Sequence, residues 1–392
     1  PVVTTENGST AIINFGQDSS FASNKTAQGN QDSNDIGDFY YTPPTGFLAL
    51  CTKNLPDVAV VPSEHFNTVL WTGNSTARTI SGVGFQPDFS WIRNREIVTF
   101  HLLFDAIRGA GNALRSNSTN AESTGATDEL TAFAADGLTL GTGEDVNGNA
   151  EGIVAWNWKA NGSGSSNTNG TITSTVSANV DAGFSIVSWT GNEGSDDTIG
   201  HGLSKAPEMI IAKVRGEAWS WGVFHEDIGK NKKLLLNSTD AEATDTDIWA
   251  DTLPTSNVFT VGTDILTNWD GRNYIGYCFH SVDGYSKVGS YTGNGNADGT
   301  FVYTGFKPMM LISKYVGTED WNIIDTKRSP HNLMEDLLKP NSSAAEIDTQ
   351  IDIDFLSNGF KPRINSGFLN GNGHTIIYIA FAETPFKYSN AR

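Results

Sequence analysis

Apolar and polar residues alternate along the chain in a pattern that predicts strands rather than helices. Short runs of β-branched and aromatic residues, such as 184–189 and 301–303, are separated by clusters of Gly, Asn, Asp and Ser roughly every 8–12 residues. This spacing is typical of a β-sandwich or a barrel. Helical periodicity is brief, over 121–134 and 332–338. The pattern therefore predicts an all-β protein.

Three anchors recur in the same order and indicate an internal repeat. The first is an aromatic residue followed by Thr-Gly-Asn, at Trp71, Trp189 and Tyr291, with offsets of 118 and 102 residues. The second is a proline that opens a strand, with a basic residue six positions later that we expect to reach solvent. The third is a polar stretch that ends in Glu. The second anchor comprises Pro87 and Arg93, Pro207 and Lys213, and Pro308 and Lys314, and the third comprises 117–122, 237–242 and 341–346.

Each copy closes with an aromatic-rich apolar run, at 153–158, 274–279 and 376–381. A polar Asn-Gly or Asp-Gly turn precedes each run, and such turns match the twist of paired strands. We therefore predict that each copy ends in a hairpin.

The repeats set the predicted domain boundaries. Residues 1–60 form a short β segment that matches no copy, and the three copies are 61–165, 166–284 and 285–392. A copy of roughly 100 residues suits one compact β-sandwich. Residues 160–170 are rich in Gly, Ser and Asn, which predicts a flexible linker between the first two copies.

Composition and charge narrow the possible partners. The 392 residues include 25 Lys and Arg against 44 Asp and Glu, a net charge of −19. A nucleic acid would be repelled by such a surface. We find no run of the ~20 apolar residues that a bilayer span requires. Cys51 and Cys278 lie far apart in the sequence and give neither a disulfide framework nor metal-ligand spacing.

Polar residues recur at one position of every copy, namely Asp105, His225 and Asp325, and Arg108 and Arg328 follow the two aspartates. One interpretation is a catalytic carboxylate, and the other is an ion pair that anchors a loop. A catalytic site needs unlike residues in complementary roles, whereas this pattern simply repeats. We therefore favour the structural interpretation and predict no catalytic residue.

The stretch from Asp145 to Glu151 places oxygen-bearing side chains at alternate positions, as a calcium loop does. An EF-hand also needs Gly at its sixth position and Glu at its twelfth, where this chain has Ala150 and Trp156. A hairpin turn is the favoured interpretation, and a weak surface cation site is the alternative. The seven histidines form no metal-binding spacing, and no nucleotide-binding or serine-hydrolase motif occurs. We therefore predict no metal and no cofactor.

Four tryptophans of the second copy are the best candidates for ligand binding. The turn residues around them predict that they lie on or near loops, where a rigid aromatic ring can stack on a sugar or anchor an interface. The alternative for each is packing in the core. The four residues are Trp219, Trp221, Trp249 and Trp269.

Several phrases of the sequence resemble known phage proteins. The segments 13–17 and 39–50 are similar to the closing strands of a SPRY-type, concanavalin-like sandwich. The phrases at 155–160, 170–179, 200–203, 289–295 and 390–392 resemble the C-terminal repeats of virion and tail-fibre-like structural proteins of marine tailed bacteriophages. Together the repeat phrases cover most of residues 60–392.

This resemblance implies a non-enzymatic virion protein, located in the particle, that contacts other virion proteins. It implies a tail-fibre or adhesion role in host attachment, with a host surface glycan as possible ligand and a homo-oligomer, a trimer by analogy, as its assembly. A capsid-decorating or head-fibre protein is the main alternative, and a glycan-degrading enzyme is a third. Neither nucleic-acid binding nor membrane insertion is expected.

Overall fold

The computed structural model describes residues 12–55, 57–349 and 351–388. The chain divides into two compact units, one of residues up to Val58 with Phe386–Tyr388 and one of Ala59–Pro385. Antiparallel strands dominate, and both α-helices of the described ranges are four residues long. The all-β prediction is confirmed. No helix among the described residues has the length and apolarity needed to cross a membrane.

The first unit is held by local turns. Asp32 is buried, and its carboxylate accepts hydrogen bonds from the Ala49 amide and the Asn54 side chain, both at 2.7 Å. Within residues 12–55 the β pairing is limited to the isolated bridge between Asn30 and Phe39, so the strands expected here do not form. The SPRY-type resemblance stays a prediction, and the phrase at 390–392 lies outside the described residues.

The first repeat, after a 3₁₀ turn at Pro62–Glu64, forms two sheets. The large sheet has the strand order β1-β8-β3-β4-β5, and the small sheet has the order β2-β7-β6. Its elements are β1 (Phe66–Thr72), β2 (Arg78–Ser81), β3 (Phe89–Asn94), β4 (His101–Asp105), β5 (Leu114–Arg115), β6 (Leu130–Ala134), β7 (Gly137–Leu140), α1 (Glu144–Asn147) and β8 (Gly152–Trp158).

The second repeat has an eight-stranded sheet of order β16-β15-β14-β13-β18-β11-β10-β9 and a small sheet of β12 and β17. A 3₁₀ turn at Glu226–Ile228 follows β14. Its strands are β9 (Ser165–Asn167), β10 (Ser174–Asn179), β11 (Phe184–Thr190), β12 (Asp197–Gly200), β13 (Met209–Val214), β14 (Gly222–His225), β15 (Lys232–Leu235), β16 (Ala243–Thr244), β17 (Val258–Val261) and β18 (Asn273–Phe279).

The third repeat has a four-stranded sheet of order β19-β25-β21-β22 and a small sheet of order β20-β24-β23. Its elements are β19 (Ser286–Thr292), β20 (Val302–Tyr303), β21 (Phe306–Tyr315), β22 (Trp321–Asp325), β23 (Ile353–Leu356), β24 (Gly359–Pro362), α2 (Gly367–Asn370) and β25 (Thr375–Pro385).

The closing strand of every repeat lies in the middle of its large sheet. β8 pairs with both β1 and β3, β18 with β11 and β13, and β25 with β19 and β21. The predicted terminal hairpins are wrong, because the strand that precedes each closing strand, namely β7, β17 or β24, belongs to the small sheet and does not pair with it. The helices predicted over 121–134 and 332–338 are also wrong: the first contains β6, and the second makes isolated bridges through Met334, Leu337 and Leu338.

The three large sheets share one central core. Phe89 stacks on Tyr277 of the second repeat at 4.2 Å between ring centroids, and Phe66 stacks on Phe381 of the third at 4.9 Å. The opposite face of each large sheet packs on the small sheet of its own repeat. The flexible linker predicted at 160–170 is wrong, since Ala160 is buried and β9 pairs with β10. Repeats that look separate in sequence thus form one unit.

Candidate functional site

The third anchor joins each repeat to the next. The amide of Glu122 donates to the Arg215 carbonyl of the second repeat, and two equivalent bonds link the other repeats, all at 2.7 Å. The Glu122 carboxylate also receives two hydrogen bonds from the Arg215 guanidinium, at 2.6 and 2.9 Å. The equivalent bonds run from Glu242 to Val316 and from Glu346 to Arg95, so the three junctions close a ring.

The recurring polar position lies at the same three junctions. Asp105 accepts a hydrogen bond from the Tyr277 hydroxyl at 2.9 Å, and Asp325 accepts one from the Trp156 indole at 3.0 Å. Both carboxylates are fully buried and pair with Arg108 and Arg328 at 2.5 Å. The predicted ion pairs are confirmed. Each acid therefore lies in contact with a neighbouring repeat rather than with a cleft.

The prediction that the basic residues of the second anchor reach solvent is wrong. Arg93, Lys213 and Lys314 are fully buried. The Lys213 ammonium donates to the carbonyls of Val214 and Glu217, both at 2.9 Å. Burial lowers the pKa of Lys213 to about 8, and that of Lys314 likewise. These cations hold the loop that follows each strand.

Sequence reasoning missed three buried asparagines that hold the Thr-Gly-Asn anchors. The Asn268 side-chain oxygen accepts from the Asn192 amide at 3.0 Å, and its nitrogen donates to the Gly194 carbonyl at 2.9 Å. Asn147 and Asn370 belong to the polar turns predicted before the closing strand, and Asn268 stands two residues before such a turn. Each partner lies about 75 residues away in sequence, so no local pattern indicated the contact. The equivalent residues are Asn147 and Asn370, which receive the Asn74 and Asn294 amides.

The calcium-like stretch is the end of a short helix followed by a turn at 149–150, and it is not the favoured hairpin turn, because β7 and β8 do not pair. α1 covers Glu144–Asn147, and the Asp145 carboxylate accepts a hydrogen bond from the Thr99 hydroxyl. Burial raises the pKa of Asp145. Among the residues that the structure describes, no group of three or more acidic, His or Cys side chains is arranged to hold a metal ion.

Two of the four candidate tryptophans lie in the core. Trp221 is fully buried, and its indole donates to the Arg115 carbonyl of the first repeat at 2.9 Å. Trp249 is also buried and packs edge-on against Phe224, with 5.8 Å between ring centroids. The expectation that these two rings are available at loops is wrong. A ring of this size is more stable when its apolar surface is removed from water.

The other two candidates meet at the surface. Trp219 is 41% exposed and contacts Trp269 edge to face, with 6.4 Å between ring centroids. The Arg272 guanidinium lies over the Trp269 ring at 5.0 Å and pairs with Glu217 at 2.9 Å. We call Trp219, Trp269, Arg272 and Glu217 the tryptophan platform.

A cavity of about 360 Å³ adjoins the tryptophan platform at the junction of the first and second repeats. Arg272 and Glu217 belong to both, and Glu122, Arg215 and Asn273 line the rest. The lining therefore offers cations, carboxylates and an amide beside two aromatic rings. A small polar ligand with an apolar face fits such a combination.

The tryptophan platform is particular to the second repeat. The equivalents of Trp219 are Thr99 and Glu319, two positions before the start of β4 and β22. The equivalents of Trp269 are Gly148 and Gly371, which follow the buried asparagines. The shared framework thus carries different side chains at the same two loops.

Comparison with known proteins places the chain in a family. Residues 61–385 match the model of the DUF7483 domain, a domain of unknown function, and the chain belongs to that family. The match covers the three repeats. No curated protein matches the sequence at a significant level.

Proposed function

We propose that this member of the DUF7483 family is a non-enzymatic structural protein of a phage virion, a tail-fibre or adhesion component that binds a host surface glycan. Its partners are other virion proteins and further copies of the same chain, three by analogy with phage fibres. The tryptophan platform carries the glycan part of this proposal. The phage part is supported by the resemblance of the repeat phrases.

The chemistry of the tryptophan platform favours a sugar. An exposed indole offers an apolar face that complements the C–H face of a pyranose ring. Arg272 and Glu217 stand beside the rings and are only partly exposed, at 43% and 35% of their side chains. They provide a hydrogen-bond donor and an acceptor for hydroxyl groups, as the few polar side chains of a ligand pocket do beside its apolar surface.

A glycan array with the full chain tests this proposal. Trp219→Ala removes the most exposed ring of the platform, and we expect at least about fivefold weaker binding to the glycan that the parent chain prefers. Tyr41→Ala is the control, because Tyr41 is 78% exposed and belongs to the other compact unit. Absence of glycan binding, or binding that Trp219→Ala leaves unchanged, contradicts the proposal. Trp221→Ala is a poor test, since loss of that buried ring changes folding as well.

A capsid-decorating or head-fibre role is the main alternative. The ring of three junctions supports a rigid building block, which would serve either location. Antibody or gold labelling of intact particles separates the two. Signal over the head shell contradicts the fibre role, and signal at the tail contradicts decoration.

A glycan-degrading enzyme is a weaker alternative. The two recurring aspartates are fully buried in ion pairs, and a glycosidase needs two carboxylates that face a sugar across a cleft. Turnover of host polysaccharide by the purified chain would support the enzyme and contradict the non-enzymatic proposal.

A further inference from the structure

A second and larger cleft lies at the junction of the second and third repeats. Its volume is about 590 Å³. The second repeat lines it with Glu208 and residues 225–227, and the third repeat lines it with 287–291 of β19, 301–303 and Tyr378. This cleft is separate from the tryptophan platform, which lies at the junction of the first and second repeats.

One part of the cleft lining is a sheet edge that is open in part. β19 is the terminal strand of its sheet: β25 pairs along one side, and on the other side Ser286 forms an isolated bridge with Val282. Antiparallel pairing directs the N–H and C=O groups of every second residue away from the partner strand. At Val288 those groups contact the Ser281 hydroxyl, with the Val288 amide donating at 3.0 Å. Ser290, two positions on, presents its groups toward the cleft.

The second repeat fills the same position with a strand of its own. β11 corresponds to β19 and is covered on that side by β10, with Thr175 opposite Ser188, the equivalent of Ser290. The spacing of the aromatic anchors explains the difference: Trp71 and Trp189 are 118 residues apart, whereas Trp189 and Tyr291 are 102 residues apart. The shorter connection leaves no residues for an added strand.

The chain segments that follow the closing strands of the first and second repeats are held by equivalent hydrogen bonds. Asp88 accepts a hydrogen bond from the Ala160 amide at 2.7 Å, at the start of the segment that leads to β10. Glu208, the equivalent of Asp88, accepts one from the Ser281 amide at 2.9 Å. After Ser281 the chain turns directly into β19. Residues 281–282 contact β19 as far as Val288, and at Ser290 no strand takes the position that β10 has in the second repeat.

The charge of the cleft indicates what would occupy it. Glu208, Glu226 and Asp227 contribute three carboxylates against one cation, Lys287. Glu226 and Asp227 are exposed. Phe301 and Tyr303, which line the same cleft, are 44% and 63% exposed and offer aromatic surface to a cation or its aliphatic stem.

We propose that the cleft binds an extended, basic segment of another polypeptide, which pairs with the free part of the β19 edge at Ser290, as Thr175 of β10 pairs with Ser188 of β11. Backbone hydrogen bonds to Ser290 supply the affinity, as in other cases of strand addition. Lys or Arg side chains at alternate positions reach Glu226 and Asp227. The proposal names a protein partner and is independent of glycan binding at the tryptophan platform.

Fluorescence anisotropy with the full chain and synthetic peptides tests the backbone part. The probe is a labelled peptide of about ten residues in which Lys alternates with Thr and Val, a length that spans an ordinary strand. N-methylation of alternate amides blocks one edge of the peptide at a time. We expect one methylated series to lose binding and the other to retain it. Equal tolerance of both series, or no binding of the parent peptide, overturns the proposal.

Variants of the chain test the site. Glu226→Gln with Asp227→Asn should weaken binding about tenfold at low salt, and a peptide with Glu in place of Lys should not bind. Ser290→Pro removes the backbone N–H that faces the cleft and should therefore abolish binding. The variant should still fold, because edge strands tolerate proline. Leu70→Pro, at the equivalent position of the edge strand β1, is the matched control and should bind normally. Unchanged affinity in the acidic double variant or in Ser290→Pro overturns the proposal.

Discussion

The buried cluster of Asp105, Arg108 and Tyr277 gives the sharpest test of how the repeats hold together. Asp105→Asn keeps the shape of the side chain and removes its charge. The Arg108 side chain is fully buried and would lose its closest counter-charge. Burial alone would lower the pKa of Arg108, but the carboxylates of Asp105 and Glu122 outweigh it, so that the pKa is raised.

The expected cost follows from burial. Removing one partner of a buried ion pair destabilises a protein by about 3–5 kcal/mol, whereas replacing the whole pair with apolar residues is often neutral. The second repeat has no ion pair at this position: a buried histidine, His225, whose pKa burial lowers, and the apolar Ile228 stand where the first repeat has Asp105 and Arg108. Asp105→Asn should therefore lose about 3–5 kcal/mol of unfolding free energy.

A triple variant is the matched comparison. Asp105→His with Arg108→Ile introduces the residues of the second repeat, and Tyr277→Phe removes the hydroxyl that would be left without its acceptor. This variant should stay within about 2 kcal/mol of the parent chain despite its three substitutions. Guanidinium denaturation followed by tryptophan fluorescence gives both values. The reasoning would be refuted if Asp105→Asn lost less than about 1 kcal/mol, or if the triple variant lost more than Asp105→Asn.

Three further predictions concern buried polar groups. Asn268→Ala should cost about 1–3 kcal/mol in the same denaturation assay, since it leaves the Asn192 amide and the Gly194 carbonyl without partners. Burial lowers the pKa of His201 to about 4, so that on acidification the unfolded chain binds a proton at this residue before the folded chain does. The free energy of unfolding should therefore fall as the pH decreases from about 6.5 to 4, by at most about 1.4 kcal/mol per pH unit. His201→Gln should reduce that slope. Burial raises the pKa of the Cys278 thiol, so a thiol reagent should modify the exposed Cys51 in the native chain and reach Cys278 only after unfolding.

The sequence by itself determined the strand content and the triplication. Period-two alternation and turn residues are local signals, and the three anchors recur because every repeat must solve the same packing problem. The ion pairs of Asp105 and Asp325 were predictable for the same reason, since each partner lies three residues from the other.

Only the tertiary structure decided what the anchors contact. The partners of Glu122, Asn268 and Trp221 lie about 75 to 110 residues away in sequence, and no local pattern encodes such a pairing. The position of the closing strand and the burial of Lys213 followed from the same long-range contacts, because a strand between two neighbours has no side that faces water.

The tertiary structure also decided which of the four tryptophans are exposed and which are buried. Trp219 and Trp269 meet on loops of the second repeat, whereas Trp221 and Trp249 fill two different cores. Turn-forming residues lie near all four, so the sequence could not separate a ring that closes a junction from a ring that faces solvent. Burial against a neighbouring repeat made that distinction, and burial is a property of the assembled unit.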